Sequence, residues 1–161
     1  MQKVCVSEEI REDAKALKLV ASAYAGKAGI LTAVLQYVYQ AIKLGASGCV
    51  NEGCELERIA GEKLCDLEVL GALITKLGAP PVFTACPSYP VSYHSAAYVD
   101  YAKAYSAMLA ADIRLEEALI AQLTFMLGEL ENTAVSEVIT ALRDHAREHL
   151  QRLNKLYAFI A

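Results

Sequence analysis

Between residues 56 and 77 an apolar side chain returns every three or four positions. Leu56, Ile59, Leu70, Leu73 and Leu77 fall on one helical face, and Lys63 and Asp66 stand in the middle of that same face. An amphipathic helix keeps charge on its opposite side, and an unpaired charge in a core is expensive. The stripe therefore predicts one of two things. Either these two side chains tip out into water, or the core they enter supplies polar partners.

The same period predicts three more helices. The first opens near Ser7, a good N-cap followed by Glu8 and Glu9, spans about 8–44, and stops at Gly45 and Gly48. Its apolar stripe reads Leu17, Val20, Tyr24, Leu31, Val34, Leu35, Val38 and Ile42. Gly26 and Gly29 lie inside it, each costing roughly 1 kcal/mol against Ala, and predict a close helix approach or a kink. The second helix spans about 53–77. Residues 78–95 then carry all four prolines, which rules out a helix; at about 3.3 Å per extended residue they can travel the length of a bundle. The third helix spans about 96–130, with Tyr105, Leu109, Asp112, Glu116, Leu119, Leu123 and Leu127 on one stripe. The fourth is capped near Thr133 and spans about 133–160, with Val135, Val138, Leu142, Ala146, His149, Leu153, Leu156 and Ile160 on its stripe. Two antiparallel helical hairpins joined by a long Pro-rich crossover make an all-α four-helix bundle, one domain over 1–161.

Composition agrees with this and narrows the partners. The 161 residues are 55% hydrophobic and 21% charged, enough apolar material for one sizeable core. A net charge of −4 with no basic run argues against nucleic acid. No run of 18 apolar residues is free of charge, so no membrane span is expected. The opening MQKVCVSEEIRED has no apolar core of a secretory leader, and five cysteines without a Cys-x-x-Cys pair fit reduced thiols. Both point to the cytoplasm.

Laid side by side, the stripes bring polar residues to the middle of the bundle: Lys63 and Asp66, Glu116 with Asp112 one turn earlier, and His149. The first helix offers no acid at that height, only Ile30 and, two turns on, Tyr37. His145 on a charged helical turn and His94 in the crossover read as ordinary, and Tyr98, Tyr101 and Tyr105 as packing.

Four segments carry a family likeness, over roughly residues 20 to 156. YAGKAGILTAVLQYVYQ is similar to a Glu-Leu-Thr-Ala-x-x-Gln-Tyr segment. ERIAGEKLCDLEVLGALITKLGAPPVF is similar to a Glu-Met-x-His-Leu-Glu-x-Leu-Gly helix with a Leu-Gly-x-x-Pro exit. ADIRLEEALIAQL is similar to Ile-x-x-Glu-Lys-x-x-Ile, and LRDHAREHLQRL to Asp-Glu-x-x-His-x-x-x-Leu. In these the chain resembles the ferritin-like, rubrerythrin-type di-metal carboxylate proteins, and more narrowly the short clostridial ones related to manganese catalases. The resemblance implies a ferritin-like bundle with six ligand positions. Carried over, the first-helix Glu is Ile30, the second-helix Glu-x-x-His is Lys63 and Asp66, the third-helix Glu is Glu116, and the fourth-helix Glu-x-x-His is Ala146 and His149.

That substitution pattern changes the chemistry. Two divalent metals need about four carboxylates, and a lysine ammonium has no lone pair and repels a cation. Lys63 is expected to replace the metal, pairing with Glu116 and Asp66 while His149 adds a hydrogen bond. The resulting expectation is a non-catalytic scaffold or binding module without cofactor, forming a homodimer or larger homo-oligomer. The alternative is an enzyme of peroxide or oxygen chemistry holding a single Fe, Mn or Zn on Asp66, Glu116 and His149. A third reading makes Lys63 a nucleophile toward a carbonyl substrate.

Overall fold

The computed structural model describes residues 4–86 and 92–160. Five α-helices build two hairpins. The first hairpin is α1 (Ala14–Ala25) and α2 (Ile30–Ala46), set in series, folded back on α3 (Val50–Lys76). The second is α4 (Tyr105–Glu129) with α5 (Thr133–Ala158). The chain reverses between α2 and α3 through Gly48, whose φ of 89° is open to glycine at no steric cost. It leaves α3 through Gly78 at φ 106°, the left-handed residue that ends many helices.

The first leg differs from the single helix expected over 8–44. Ser7 closes only one turn, and α1 starts later, where the Asp13 carboxylate accepts the Ala16 N–H at 2.9 Å. The leg then breaks at Gly26 to Gly29. The Gly26 N–H caps α1 on the Ser22 carbonyl at 3.0 Å, and Thr32 Oγ1 donates to the Gly26 carbonyl at 3.1 Å. A Cβ on Gly26 would stand 2.4 Å from the Ser22 oxygen, so this position needs glycine for space.

The break also resets the helical phase. Leu35, Val38 and Ile42, expected in the core, are 38%, 42% and 68% exposed. Val34 is buried as expected, but the other inward residues include Ile30, Ala33 and Tyr37, with Gln36 and Gln40. One period carried across a break loses its phase, which is why the expected stripe failed over this half of the leg. As one run, Ala14–Ala46 is apolar enough to cross a membrane, but most of it is buried within the bundle.

The crossover is longer than expected, because α4 starts at Tyr105 and not near Ala96. Ser95 caps only a single 3-10 turn, Ala96–Tyr98, and extended chain follows. The segment runs along the first leg. The Tyr24 hydroxyl donates to the Pro81 carbonyl at 3.1 Å, His94 Nδ1 meets the Ala25 carbonyl at 3.1 Å, and the Asp100 N–H donates to Gln36 Oε1 at 2.9 Å. Pro87 and Pro90 lie outside the described residues.

The interior divides into two apolar blocks. One holds Val20, Ile30, Leu70, Leu119 and Leu142 among others; the second holds Tyr37, Leu56, Ile59, Leu109 and Leu153. All seven stripe positions of α3 from Leu56 to Leu77 are buried, Lys63 and Asp66 included. The polar residues lie between the blocks.

Gly26→Ala is expected to destabilise by about 1–3 kcal/mol, the usual cost of forced overpacking. Its urea midpoint should fall with an unchanged slope. Gly128→Ala, where a Cβ meets nothing within 4 Å, should hold or raise the midpoint.

Candidate functional site

The layer between the two blocks is built on one ion pair. Lys63 Nζ donates to Glu116 Oε2 at 2.7 Å, and both side chains are almost wholly hidden from water. The other oxygen of Glu116 accepts the Tyr37 hydroxyl at 2.7 Å. Burial, with Glu116 and Asp112 beside it, holds that phenol well above its ordinary range, so it remains a donor. Tyr37, two turns beyond Ile30, is the side chain that the first leg brings to Glu116.

Asp66 and His149 do not join this pair, contrary to expectation. Each bonds across the seam between α3 and α5. His145 Nδ1 meets Asp66 Oδ1 at 2.7 Å, and His149 Nε2 meets Glu62 Oε2 at 2.8 Å. Arg152 adds bonds to Glu62 and to Glu55. The acids stand four apart on α3 and the imidazoles four apart on α5, so two antiparallel helices form two matching rungs. Burial pushes the Asp66 carboxyl up, while His145 and Lys63 pull it down. Burial, with Lys63 and Arg152 nearby, pushes His149 down to about 2. Neutral His149 with its proton on Nε2 donates to Glu62, which leaves Nδ1 a buried lone pair without a partner among the described residues.

One turn before Glu116, Asp112 Oδ1 accepts from Gln36 Nε2 at 2.7 Å and from Gln40 Nε2 at 2.8 Å. Burial pushes this carboxyl up to about 7 against the pull of both amides. Among the described residues, Asp112 Oδ2 and Gln40 Oε1 are both buried acceptors without a donor. A proton on Asp112 would turn one of its oxygens into a donor in this buried polar group.

Ile30 and Ala146, the two apolar residues expected at ligand positions, are buried in the first apolar block. Among the described residues no group of three or more His, Cys, Asp or Glu is gathered as a metal-binding set. His145, taken as ordinary, is 5% exposed and fully part of the layer, and Glu62 was overlooked. One signal could have found both: the spacing of four between Glu62 and Asp66 matches that between His145 and His149. His94 does sit in the crossover, and Tyr101 packs edge-on against Tyr39 with ring centres 4.9 Å apart. All five cysteines are free thiols.

Known structures share this architecture. The chain is similar to wild-type KatB, a manganese catalase from Anabaena, with a TM-score of 0.83 and 18% identity over 99% of this chain and 78% of that one. It is also similar to the bacterioferritin of Desulfovibrio desulfuricans, described with a diiron site, with a TM-score of 0.77 and 19% identity over 91% of this chain and 80% of that one. The fold is thus the ferritin-like four-helix bundle expected from the sequence. No protein-family model and no curated protein matches the chain.

Asp112 generates a pH dependence with a fixed sign. An exposed Asp loses its proton near 3.8 and the folded one near 7, so between those values the folded chain holds the extra proton. This contribution falls as pH rises from about 4 to 7 and is then flat. Its size is at most about 4 kcal/mol. Asp112→Asn, which removes the titrating carboxyl, should shrink the difference in urea midpoint between pH 5 and pH 8.

Proposed function

We propose that this chain is a ferritin-like bundle in which an internal ion pair has replaced the metal centre, a non-catalytic scaffold or binding module that associates with itself. The observation that carries this reading is Lys63 on Glu116, with Tyr37 closing the second oxygen. The similar structures are a manganese catalase and a diiron bacterioferritin, and the residues here fit two such metals poorly. Both oxygens of Glu116 are taken, Asp66 is bonded to His145, Glu62 to His149 and Arg152, and Asp112 to two amides. The ammonium of Lys63 supplies in place the positive charge that a cation would bring.

One observation favours the second reading, a single Fe, Mn or Zn on Asp66, Glu116 and His149. Nδ1 of His149 is a buried lone pair with no donor, as a metal ligand would be. Lys63 and Glu116 would have to separate to admit the ion, and that is why the metal-free reading is preferred.

Protein purified without chelator is expected to hold no transition metal near one per chain by elemental analysis. After incubation with iron or manganese it should consume peroxide no faster than buffer. One metal per chain, lost in His149→Ala, would establish the second reading instead.

Breaking the pair also has a predicted size. Lys63→Ala leaves Glu116 buried without its cation, at a cost of about 3–5 kcal/mol. The melting temperature should fall by about 10 °C. Lys63→Met with Glu116→Gln removes both charges and should recover most of that loss. A single Lys63→Met variant that melts as wild type does would count against charge compensation.

A further inference from the structure

The chain ahead of α1 is not helical, yet Val4 and Val6 pack onto the first apolar block. Together with α3 and α5 this segment borders a cleft of about 690 Å³. Its walls are mostly apolar, with Val4, Val6, Val69 and Ala72, and His145 of α5 lines it as well. A cleft of this size, apolar with a few convergent polar groups, is the usual form of a small-molecule site. His145 is only 5% exposed. Its Nδ1 is committed to Asp66 Oδ1 at 2.7 Å. The carboxylate accepts from Nδ1, so the neutral ring presents Nε2 as an acceptor. That nitrogen makes no hydrogen bond among the described residues. It is not sealed in, as the unpartnered nitrogen of His149 is, but reaches open space. A nearly buried acceptor without a partner is a polar group that an incoming donor would satisfy.

The charges around the cleft decide which ligand suits that atom. Glu8, Asp66 and Glu68 line it against one ammonium, Lys76, which is already paired with Glu8. Asp66 is taken by His145, and Glu68 has no cation partner among the described residues. A neighbouring cleft of about 570 Å³ shares Val4 and His145, and no Lys or Arg lines it. It adds Glu137, Glu148 and Asp144, the last held by Arg143 and Arg147. On either side of His145, then, a ligand meets acceptors and negative charge. An anion would have to displace Glu8 from Lys76 to find a donor. A ligand that donates a hydrogen bond and carries positive charge gains from Nε2 and from Glu68 at once. Its apolar part gains by covering the valines.

We infer that this cleft binds an apolar amine, its body against Val4, Val6 and Val69, its N–H donating to His145 Nε2 and its charge facing Glu68. This fills in the binding-module part of the function proposed above and does not depend on self-association. Tryptamine is a suitable probe, because the chain has no Trp and indole emission then belongs to the probe alone. Its fluorescence anisotropy at pH 8 should rise as protein is added. Tryptophol, with a hydroxyl in place of the ammonium, should bind about tenfold more weakly, and indole-3-propionate should not bind. Ala72→Phe fills the cleft from an exposed position and should abolish tryptamine binding at an unchanged melting temperature. Glu68→Gln, also at an exposed position, should weaken tryptamine several-fold and leave tryptophol unchanged. His145→Phe, compared where its helical signal matches wild type, should weaken both. Equal binding of amine, alcohol and carboxylate would overturn the inference, as would tryptamine binding that persists in Ala72→Phe. No tryptamine binding up to about 1 mM would overturn it too. The ion-pair reading is untouched by that result, since elemental analysis decides it separately.

Discussion

A charge inside an apolar bundle must be neutralised by the bundle itself, and the rest of this structure follows from how that is done. Lys63 and Glu116 face each other between two hydrophobic blocks, where water cannot stabilise either. Taking both ions out of water costs several kcal/mol each, so the pair is not there for stability. It survives because both carboxylate oxygens are held, one by Lys63 and the other by Tyr37, while Asp66 and Glu62 beside it are each held by an imidazole from α5. Three of the four legs of the bundle meet at Glu116. Hydrophobic burial holds the helices together, and this layer fixes which residues of each helix stand at the same height.

The first leg reaches the layer only because it is broken. Had Gly26 to Gly29 continued α1 in phase, Leu35 and Val38 would have pointed inward and Tyr37 away. The break turns α2 so that Gln36, Tyr37 and Gln40 face Asp112 and Glu116. The crossover reinforces that rotation, since the Asp100 N–H holds the oxygen of the same Gln36 whose amide holds Asp112. The backbone of the connection therefore bonds to a side chain that itself bonds into the core.

How far the sequence carries is uneven, for physical reasons. The fold was legible because a 3.6-residue period survives wherever a helix is continuous, and all seven positions read on α3 are buried. Four prolines in one stretch marked the crossover. The phase of α2 was not legible, because two glycines announce a break without stating its rotation. Lys63 and Glu116 could be matched because Lys63 is the one cation among the charges on the core stripes and Glu116 stands at its height. The partners of Asp66 and His149 could not, since His145 and Glu62 sit one position off the ligand pattern that the resemblance implies and their pairing depends on how α3 and α5 align. Asp112 was visible only as a polar position one turn before Glu116, and its partners Gln36 and Gln40 follow from the rotation of α2.

The two rungs between α3 and α5 are spaced alike on both helices, and that makes them ambiguous. Sum the partner numbers and Glu62 with His149 gives the same total as Asp66 with His145, so sliding α5 by one turn would still leave one acid opposite one imidazole. Such a ladder is like a ruler with identical marks: it holds an alignment without choosing it. The choice falls to the unrepeated mark. Because α4 and α5 are joined by only a few residues, a slip of α5 would carry Glu116 about 5.4 Å from Lys63. In this bundle the ion pair acts as an alignment key, excluding the misaligned states that the imidazole ladder alone would tolerate.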